Sequence, residues 1–504
     1  MSTVDVVVVG SGGAALTAAY TAASAGLRTL VLEKTQYFGG TSAYSGSGIW
    51  LPGNQAQHRA GVEDSVELGR EYFRAVVGDD TPAARQDAYL RTGPELVEFL
   101  ERDPLLQFAY GPFPDYFEAP GRVPGGRDIF PVPLKAAELG ELLAVLRKPI
   151  GEDQFGVPRK RGTLTGGQAL IGRFLLALSA LPCAELRTGT RMRSLIVSSG
   201  RVAGVVVAGD GPEERILASR GVIVAAGGFE CDDGLRARHH ALPHGNWTSA
   251  APGSNTGDAL AALAQAGAAI DLMDEAWWCP ATLFPNGRAA FTLGLRGGIV
   301  VNAAGQRFAN ESLPYDRMGR EIRRGQETGV AHVPAWFVFD SRFAGVPAII
   351  QPPPDPDEFR AAGLWQTCDD LAGLAERIGV PAPALQATVA RFNEFAASGT
   401  DEDFHRGEDP YDRFFADPVL VPIDRAPFHA VQIVLGDLGT KGGARTDVNG
   451  QVLDERGTPI PGLYAAGNSA ASVTGHAYPA PGIPLGSGMT FAYRAARHIA
   501  SLAG

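Results

Sequence analysis

The stretch from Gly475 to Met489, GHAYPAPGIPLGSGM, sets one tyrosine, Tyr478, among three prolines and four glycines, with no charged residue. Prolines 479, 481 and 484 stiffen the backbone, so a lone phenol hydroxyl is presented from a rigid loop. What that hydroxyl does depends on what the other end of the chain binds. There, the run Val4 to Val9 leads directly into GSGGAALTAAYTAASAG. Gly10 and Gly12 allow a tight turn and a close backbone approach to a phosphate, and Ala15 takes the place of the third small residue. Glu33 closes the next apolar run, RTLVLEK, about twenty residues past the first glycine, the distance at which a carboxylate reaches an adenosine ribose. Strand, glycine turn, helix, strand and acid together predict dinucleotide binding.

Two further segments favour FAD over a nicotinamide. FGGTSAYSGSGIWLPGN, Phe38 to Asn54, continues the glycine-rich surface after the second strand. GQVLDERGTPIPGLYAAGNSAAS brings a second backbone stretch from near the C-terminus. A cofactor held from both ends of the chain is long and deeply seated. The cofactor-binding set is therefore Gly10, Gly12, Ala14, Ala15, Glu33, Lys34, Gly40, Thr41, Ser42, Met192, Ala226, Gly227, Asp258, Gly467, Asn468 and Leu485. No histidine stands near GGTSAYSG to carry a flavin 8α-methyl, so the FAD is expected to be non-covalent.

The elements that must position these residues follow from pattern. The β-branched run at Val4–Val9 reads as a buried parallel strand. RSLIVSSGRVAGVVV reads as a hairpin, the segment Gly221 to Glu230 as a further strand, and the segment opening at Asp258 as a helix. Between about Trp277 and Val434 the composition changes: most tryptophans fall here, with a PPPDPDEF loop and helical stretches at Leu371 to Ile378 and Ala384 to Ala397. The predicted fold is α/β: a Rossmann-like FAD-binding domain over 1–276, with a helical excursion near 60–150, an inserted α+β substrate or cap domain over 277–436, and a return to the FAD-binding domain over 437–504.

Length and composition set the outer limits. At 504 residues the chain has room for several structural units and a deep core. A net charge of −11 argues against a nucleic-acid partner. Cys183, Cys231, Cys279 and Cys368 are widely spaced, as thiols of a reduced compartment are. His239, His240 and His244 lack a matching Cys, Asp or Glu pattern, and no metal is expected. The acidic stretches ASGTDEDFHRGEDP and GVEDSVE read as solvated loops. No leader and no apolar run long enough to span a bilayer is evident, so a soluble cytoplasmic protein is expected.

These segments, with VIVAAGGFE, GGIVVNAAGQRFANES and PIPGLYAAGN, resemble the fumarate reductase/succinate dehydrogenase flavoprotein superfamily over almost the whole chain. Fumarate-reducing members use an arginine after the RF-NE segment and cationic clamps near the C-terminus. Here Tyr315 falls where that arginine would be, and no Arg or Lys occurs between Arg456 and Arg494. A dicarboxylate would be buried without partners at a cost of several kcal/mol.

Within the superfamily the sequence resembles a narrower branch, the 3-ketosteroid Δ1-dehydrogenases. Tyr116 in FPDYFEAPG, Tyr315 in NESLPYD, Tyr478 in GHAYPAPG and Gly482 carry the match; Ala480 stands where the branch usually has glycine. The resemblance implies removal of hydrogen from C1 and C2 of a 3-oxosteroid. It implies that Tyr315 takes the C2 proton, assisted by Tyr116, and that the Tyr478 hydroxyl and Gly482 amide polarise the C3 carbonyl. The C1 hydride passes to FAD, and an external acceptor, a quinone or similar, removes the electrons. Phe113 and Phe291 are the candidate pocket walls. The competing expectations are a 3-oxo-5α-steroid 4-dehydrogenase or another flavoprotein of the superfamily, and a non-catalytic flavin or electron carrier.

Overall fold

The structure, a computed structural model, describes residues 2–158, 160–209, 211–242 and 245–502. The chain divides into two bodies. One comprises Met1–His244, Ala250–Ala276 and Gly439–Gly504; the other comprises Gly245–Ser249 and Trp277–Leu438.

The first body is built on β1 (Ser2–Val9), α1 (Gly13–Ser24) and β2 (Thr29–Leu32). β1 pairs in parallel with β2 on one side and with the strand Glu214–Val224 on the other. Ala184–Arg187 extends the sheet beyond β2, and Pro459–Ala465 extends it beyond Glu214–Val224, both in parallel. Val6, Val7 and Val8 are wholly buried, as the unbroken β-branched run Val6–Val9 requires. The C-terminal helix, Ile483–Ser501, packs on α1, whose alanines allow close approach.

The predicted hairpin forms, as Arg191–Ser198 against Arg201–Ala208. The strand expected from Gly221 to Glu230 instead spans Glu214–Val224. It gains residues at its start by pairing with Arg201–Ala208. Past Val224 the chain turns through Gly227, at φ +83°, which no strand accommodates. The helix expected at Asp258 spans Asp258–Gln265. Residues 60–150 hold the helices Val66–Val77 and Ala83–Glu101, followed by the short strands Phe108–Tyr110, Asp128–Pro131 and Leu134–Lys135. His240 stacks on Phe229 at 5.4 Å and His239 meets the same ring edge-on at 6.1 Å, while His244 lies outside the described residues.

The second body carries a largely antiparallel sheet in the order Gly298–Val301, Ala335–Asp340, Phe428–Thr440, Ala276–Leu283, Ala289–Leu293, Ile349–Ile350. The helices Leu371–Ile378 and Ala382–Ser398 bury Leu374, Ile378, Leu385, Val389 and Phe392 with Ile299 and Val338 of that sheet.

Candidate active site

The cofactor cradle of the first body gathers at the C-terminal end of the parallel strands. Gly10 adopts φ +106°, and a side chain there would strike the Ala225 carbonyl of the neighbouring strand. Gly12 caps α1 with no side-chain cap bond, and no acidic residue stands in the first turn. An uncapped helix N-terminus with no acid in its first turn can take a phosphate. The Gly13 amide donates to Ser42 Oγ at 3.0 Å, tying this turn to the segment of Gly40, Thr41 and Ser42. A side chain at Gly13 would come within 3.1 Å of Leu485, and one at Gly467 within 3.4 Å of Ala14. The Ala226 amide donates to Ser469 Oγ, which donates to the Gly227 carbonyl, both at 2.9 Å.

Glu33 follows β2 and is buried. Its Oε1 accepts from the Thr35 amide and hydroxyl at 2.8 Å, and its Oε2 from Ser11 Oγ at 2.5 Å. That fixes the carboxylate with a lone pair to spare for a ribose hydroxyl. Lys34 and Asp258 are each other's partners: Lys34 Nζ lies 3.2 Å from Asp258 Oδ2, and Arg191 Nη2 lies 2.6 Å from its Oδ1. Burial pushes the Asp258 carboxyl up, but these two cations hold it below the ordinary carboxylate range. The Met192 side chain lies in the apolar core with Val7, Leu30 and Val207. Asn468 borders Gly439, where a side chain would meet its amide. The donors, glycines and buried acid of this body fit FAD.

The Tyr478 loop also belongs to the first body, and far more than its prolines holds it. Arg85 donates to the Ala471 carbonyl at 3.1 Å, and Thr81 to Val473 at 2.7 Å. Lys441 donates to Gly475 at 3.0 Å and to Ala477 at 2.5 Å. The Pro479 carbonyl accepts from the Tyr72 hydroxyl at 2.6 Å and the Tyr116 amide at 3.0 Å. The last bond brings Tyr116 to Tyr478: their rings meet edge to face at 5.5 Å and 64°, and both are buried. Gly482, at φ +75°, is the N-cap of the C-terminal helix, which has no side-chain cap and no acid in its first turn. Phe113, half-buried, runs beside Gly126 in the same region of the chain.

Beneath this loop sits a charged network that the sequence reading missed. Arg127, Asp64 and Asp115 are all buried; Arg127 Nε lies 2.9 Å from Asp64, and its Nη1 pairs with Asp115. Trp50 Nε1 donates to Asp115 at 2.8 Å, and the guanidinium lies 5.5 Å from the Trp50 and Tyr72 ring centres. Tyr72 OH also accepts from the Phe117 amide at 3.1 Å. Nothing local in the sequence points to Tyr72, and Asp64 lies in GVEDSVE, expected as a solvated loop, where the pairing with Arg127 instead buries it. For Asp115 the only signal is its place beside Tyr116.

In the second body Tyr315 is buried at the first residue of the helix Tyr315–Thr328, with its ring edge-on to Phe291 at 5.0 Å and 81°. The preceding RFANES segment is a brace. Arg307 bridges Glu311 at 2.9 Å and Asp401 at 2.8 Å, while Arg406 reaches Glu311 at 3.1 Å, so ASGTDEDFHRGEDP, expected as a solvated loop, instead buries Asp401 and Arg406 in these pairs. Glu311 also accepts from the Val300 amide at 3.1 Å, tying the segment to the sheet. Tyr411 is raised well above the usual phenol range by burial, then by Tyr315 and Asp412 nearby.

A parallel sheet with an uncapped glycine turn, a buried acid after the second strand and a second backbone stretch from the C-terminus define an FAD-binding flavoprotein. The FAD binding domain family model matches residues 5–485. The chain is 41% identical to a 3-oxosteroid 1-dehydrogenase of Mycobacterium tuberculosis, covering 99% of both chains. It superposes on the 3-ketosteroid Δ1-dehydrogenase of Sterolibacterium denitrificans, solved in complex with 1,4-androstadiene-3,17-dione, with a TM-score of 0.91 and 35% identity over 99% of this chain and 100% of that one. The 3-ketosteroid Δ4-(5α)-dehydrogenase of Rhodococcus jostii shares the fold alone, at TM-score 0.69 and 24% identity over 99% of this chain and 97% of that one. The chain belongs to the 3-oxosteroid 1-dehydrogenase family.

Proposed function

We propose that this chain introduces a C1–C2 double bond into 3-oxosteroids, with Tyr315 as the base and Tyr478 with Gly482 as donors to the C3 oxygen. FAD, when bound, accepts the C1 hydrogen as hydride. The C2 proton becomes acidic only as charge moves onto the C3 oxygen, so the donors and the base act together. Tyr478 presents its hydroxyl from a loop anchored through five of its carbonyls, and donors so fixed need no reorganisation as charge develops. The Gly482 amide, at the uncapped start of a 19-residue helix, adds the positive end of that dipole. Tyr315 heads its own helix, where negative charge on a phenolate is favoured. Tyr116 assists the proton transfer, and Phe113 and Phe291 wall the apolar part of the site.

The observation that carries this reading is the Tyr478 loop, which offers donors and no cation between Arg456 and Arg494. It suits a ketone and not a dicarboxylate. The test is anaerobic mixing with a 5α-3-ketosteroid, followed by location of the new double bond by mass spectrometry. Flavin bleaching with unsaturation at C1–C2 is expected; unsaturation at C4–C5 would assign the 4-dehydrogenase reaction instead.

The same reading holds the FAD without a covalent bond, passes its electrons to an external acceptor of the quinone type, and places the protein in the cytoplasm. Among the described residues all four cysteines are free, and no helix is long and apolar enough to cross a membrane. Acid precipitation should leave the flavin in the supernatant; flavin retained in the pellet would overturn the non-covalent assignment.

A further inference from the structure

Asp128 opens the strand Asp128–Pro131, paired with Trp50, and is wholly buried. Among the described residues neither carboxyl oxygen has a hydrogen-bond partner. The carboxyl is wedged between two glycines. A side chain at Gly48 would lie 2.7 Å from Asp128 Oδ1, and one at Gly482 would collide with the same oxygen. It therefore fills the space under the turn that presents the Gly482 amide. The charged and titratable groups that couple to it are Asp115 on the adjacent loop, Tyr89 on the helix Ala83–Glu101 and Tyr110 on the strand Phe108–Tyr110, while the preceding Arg127 is committed to Asp64 and Asp115. None can neutralise a carboxylate. Tyr89 spends its hydroxyl on the Trp50 carbonyl at 2.5 Å, and Tyr110 on Gly125 at 2.9 Å.

We propose that Asp128 is a positioning residue that serves turnover only as the neutral acid, keeping the space beside the Gly482 amide free of negative charge while the C3 oxygen becomes anionic. This rests on the assignment of Gly482 and Tyr478 as donors to that oxygen. A bare carboxylate sealed from water and from every donor is unfavourable, so the proton stays on. Burial, reinforced by Asp115, raises the Asp128 carboxyl well above the ordinary carboxylate range. The acid form prevails below its raised pKa, and turnover falls as pH rises through it. Ionisation would place a like charge under the turn that presents the Gly482 amide as the oxyanion forms, costing about 10²-fold in rate. The glycine at 482 is then required twice, by its positive φ and by the carboxyl beneath it.

The test compares kcat against pH for the FAD-loaded wild type and Asp128→Asn, with infrared spectra of both. The wild type should lose turnover on the alkaline side, and a protonated carboxyl C=O stretch should disappear over the same pH range. Asp128→Asn should lose about tenfold or less in kcat at neutral pH. It should also lack that stretch, and its alkaline limb should vanish or move to higher pH. An unchanged alkaline limb in Asp128→Asn overturns the proposal, as does a wild type with no protonated carboxyl at neutral pH. If Asp128→Asn does not fold, Asp128→Ala is carried through the same comparison. The wild-type infrared titration stands alone: a stretch that persists while turnover falls overturns the proposal. Failure of the oxyanion assignment itself shows elsewhere, in a Tyr478→Phe enzyme that keeps its turnover.

Discussion

The Tyr72 hydroxyl donates a 2.6 Å hydrogen bond to the carbonyl of Pro479, the residue after Tyr478, across 407 positions of sequence. Both groups are buried, and the same carbonyl accepts from the Tyr116 amide. One oxygen thus joins the segments of two candidate catalytic tyrosines to the helix Val66–Val77. Tyr72→Phe removes the donor and keeps the ring. The Phe117 amide loses its acceptor as well, so thermal or urea unfolding should show a loss of about 2 kcal/mol, the net worth of two such bonds. Because the loop is held by other donors as well, kcat should fall by about tenfold or less, with FAD content unchanged. Full activity at normal stability would mean that the bond does not position the loop.

Tyr315→Phe tests the base. The ring and its edge contact with Phe291 survive, so FAD content and folding should be normal. Turnover should drop by about 10²- to 10⁴-fold, the range for loss of a general base. An FAD-replete, active Tyr315→Phe enzyme would move the role elsewhere, with Tyr116 the first candidate.

The Asp115–Arg127–Asp64 network makes a prediction about stability and not chemistry. Asp115→Ala leaves the fully buried Arg127 with only half its counter-charge and strands the Trp50 indole N–H. Removing one partner of a buried pair costs about 3–5 kcal/mol. The variant should unfold at clearly lower urea concentration than Tyr72→Phe. A near-native midpoint would show that Asp64 alone satisfies the guanidinium.

The parallel sheet and its glycine turn were legible because they are local. Five valines, two glycines and an acid at fixed distances state their own geometry, and Val6–Val8 and Glu33 lie where those distances put them. The strand ends were less legible: nothing near Glu214 reveals that Arg201–Ala208 will pair with it. Lys34 and Asp258 could be placed near the cofactor turn, but not shown to salt-bridge each other, because the contact spans 224 positions. The same limit hid Tyr72, Asp64 and Asp128. Stiffness in the Tyr478 loop could be read from its prolines. The donors from Arg85, Thr81, Lys441 and Tyr72 could not, since each is an ordinary residue in its own segment.

Tyr478→Phe bears most directly on the chemistry. The phenol of Tyr478 is held by a loop whose carbonyls are engaged at Ala471, Val473, Gly475, Ala477 and Pro479, so loss of the hydroxyl alone leaves the backbone where it was. If that hydroxyl donates to the C3 oxygen as charge develops, kcat should fall by roughly 10²- to 10³-fold. Ground-state affinity should change much less, because a steroid is held chiefly by apolar burial worth about 25 cal/mol per Å². Binding of a 1,2-dehydro steroid can be followed by the flavin absorbance shift, which separates affinity from turnover. Weakened binding with near-normal kcat would make Tyr478 a wall of the pocket, and the Gly482 amide would then be left to polarise the ketone by itself.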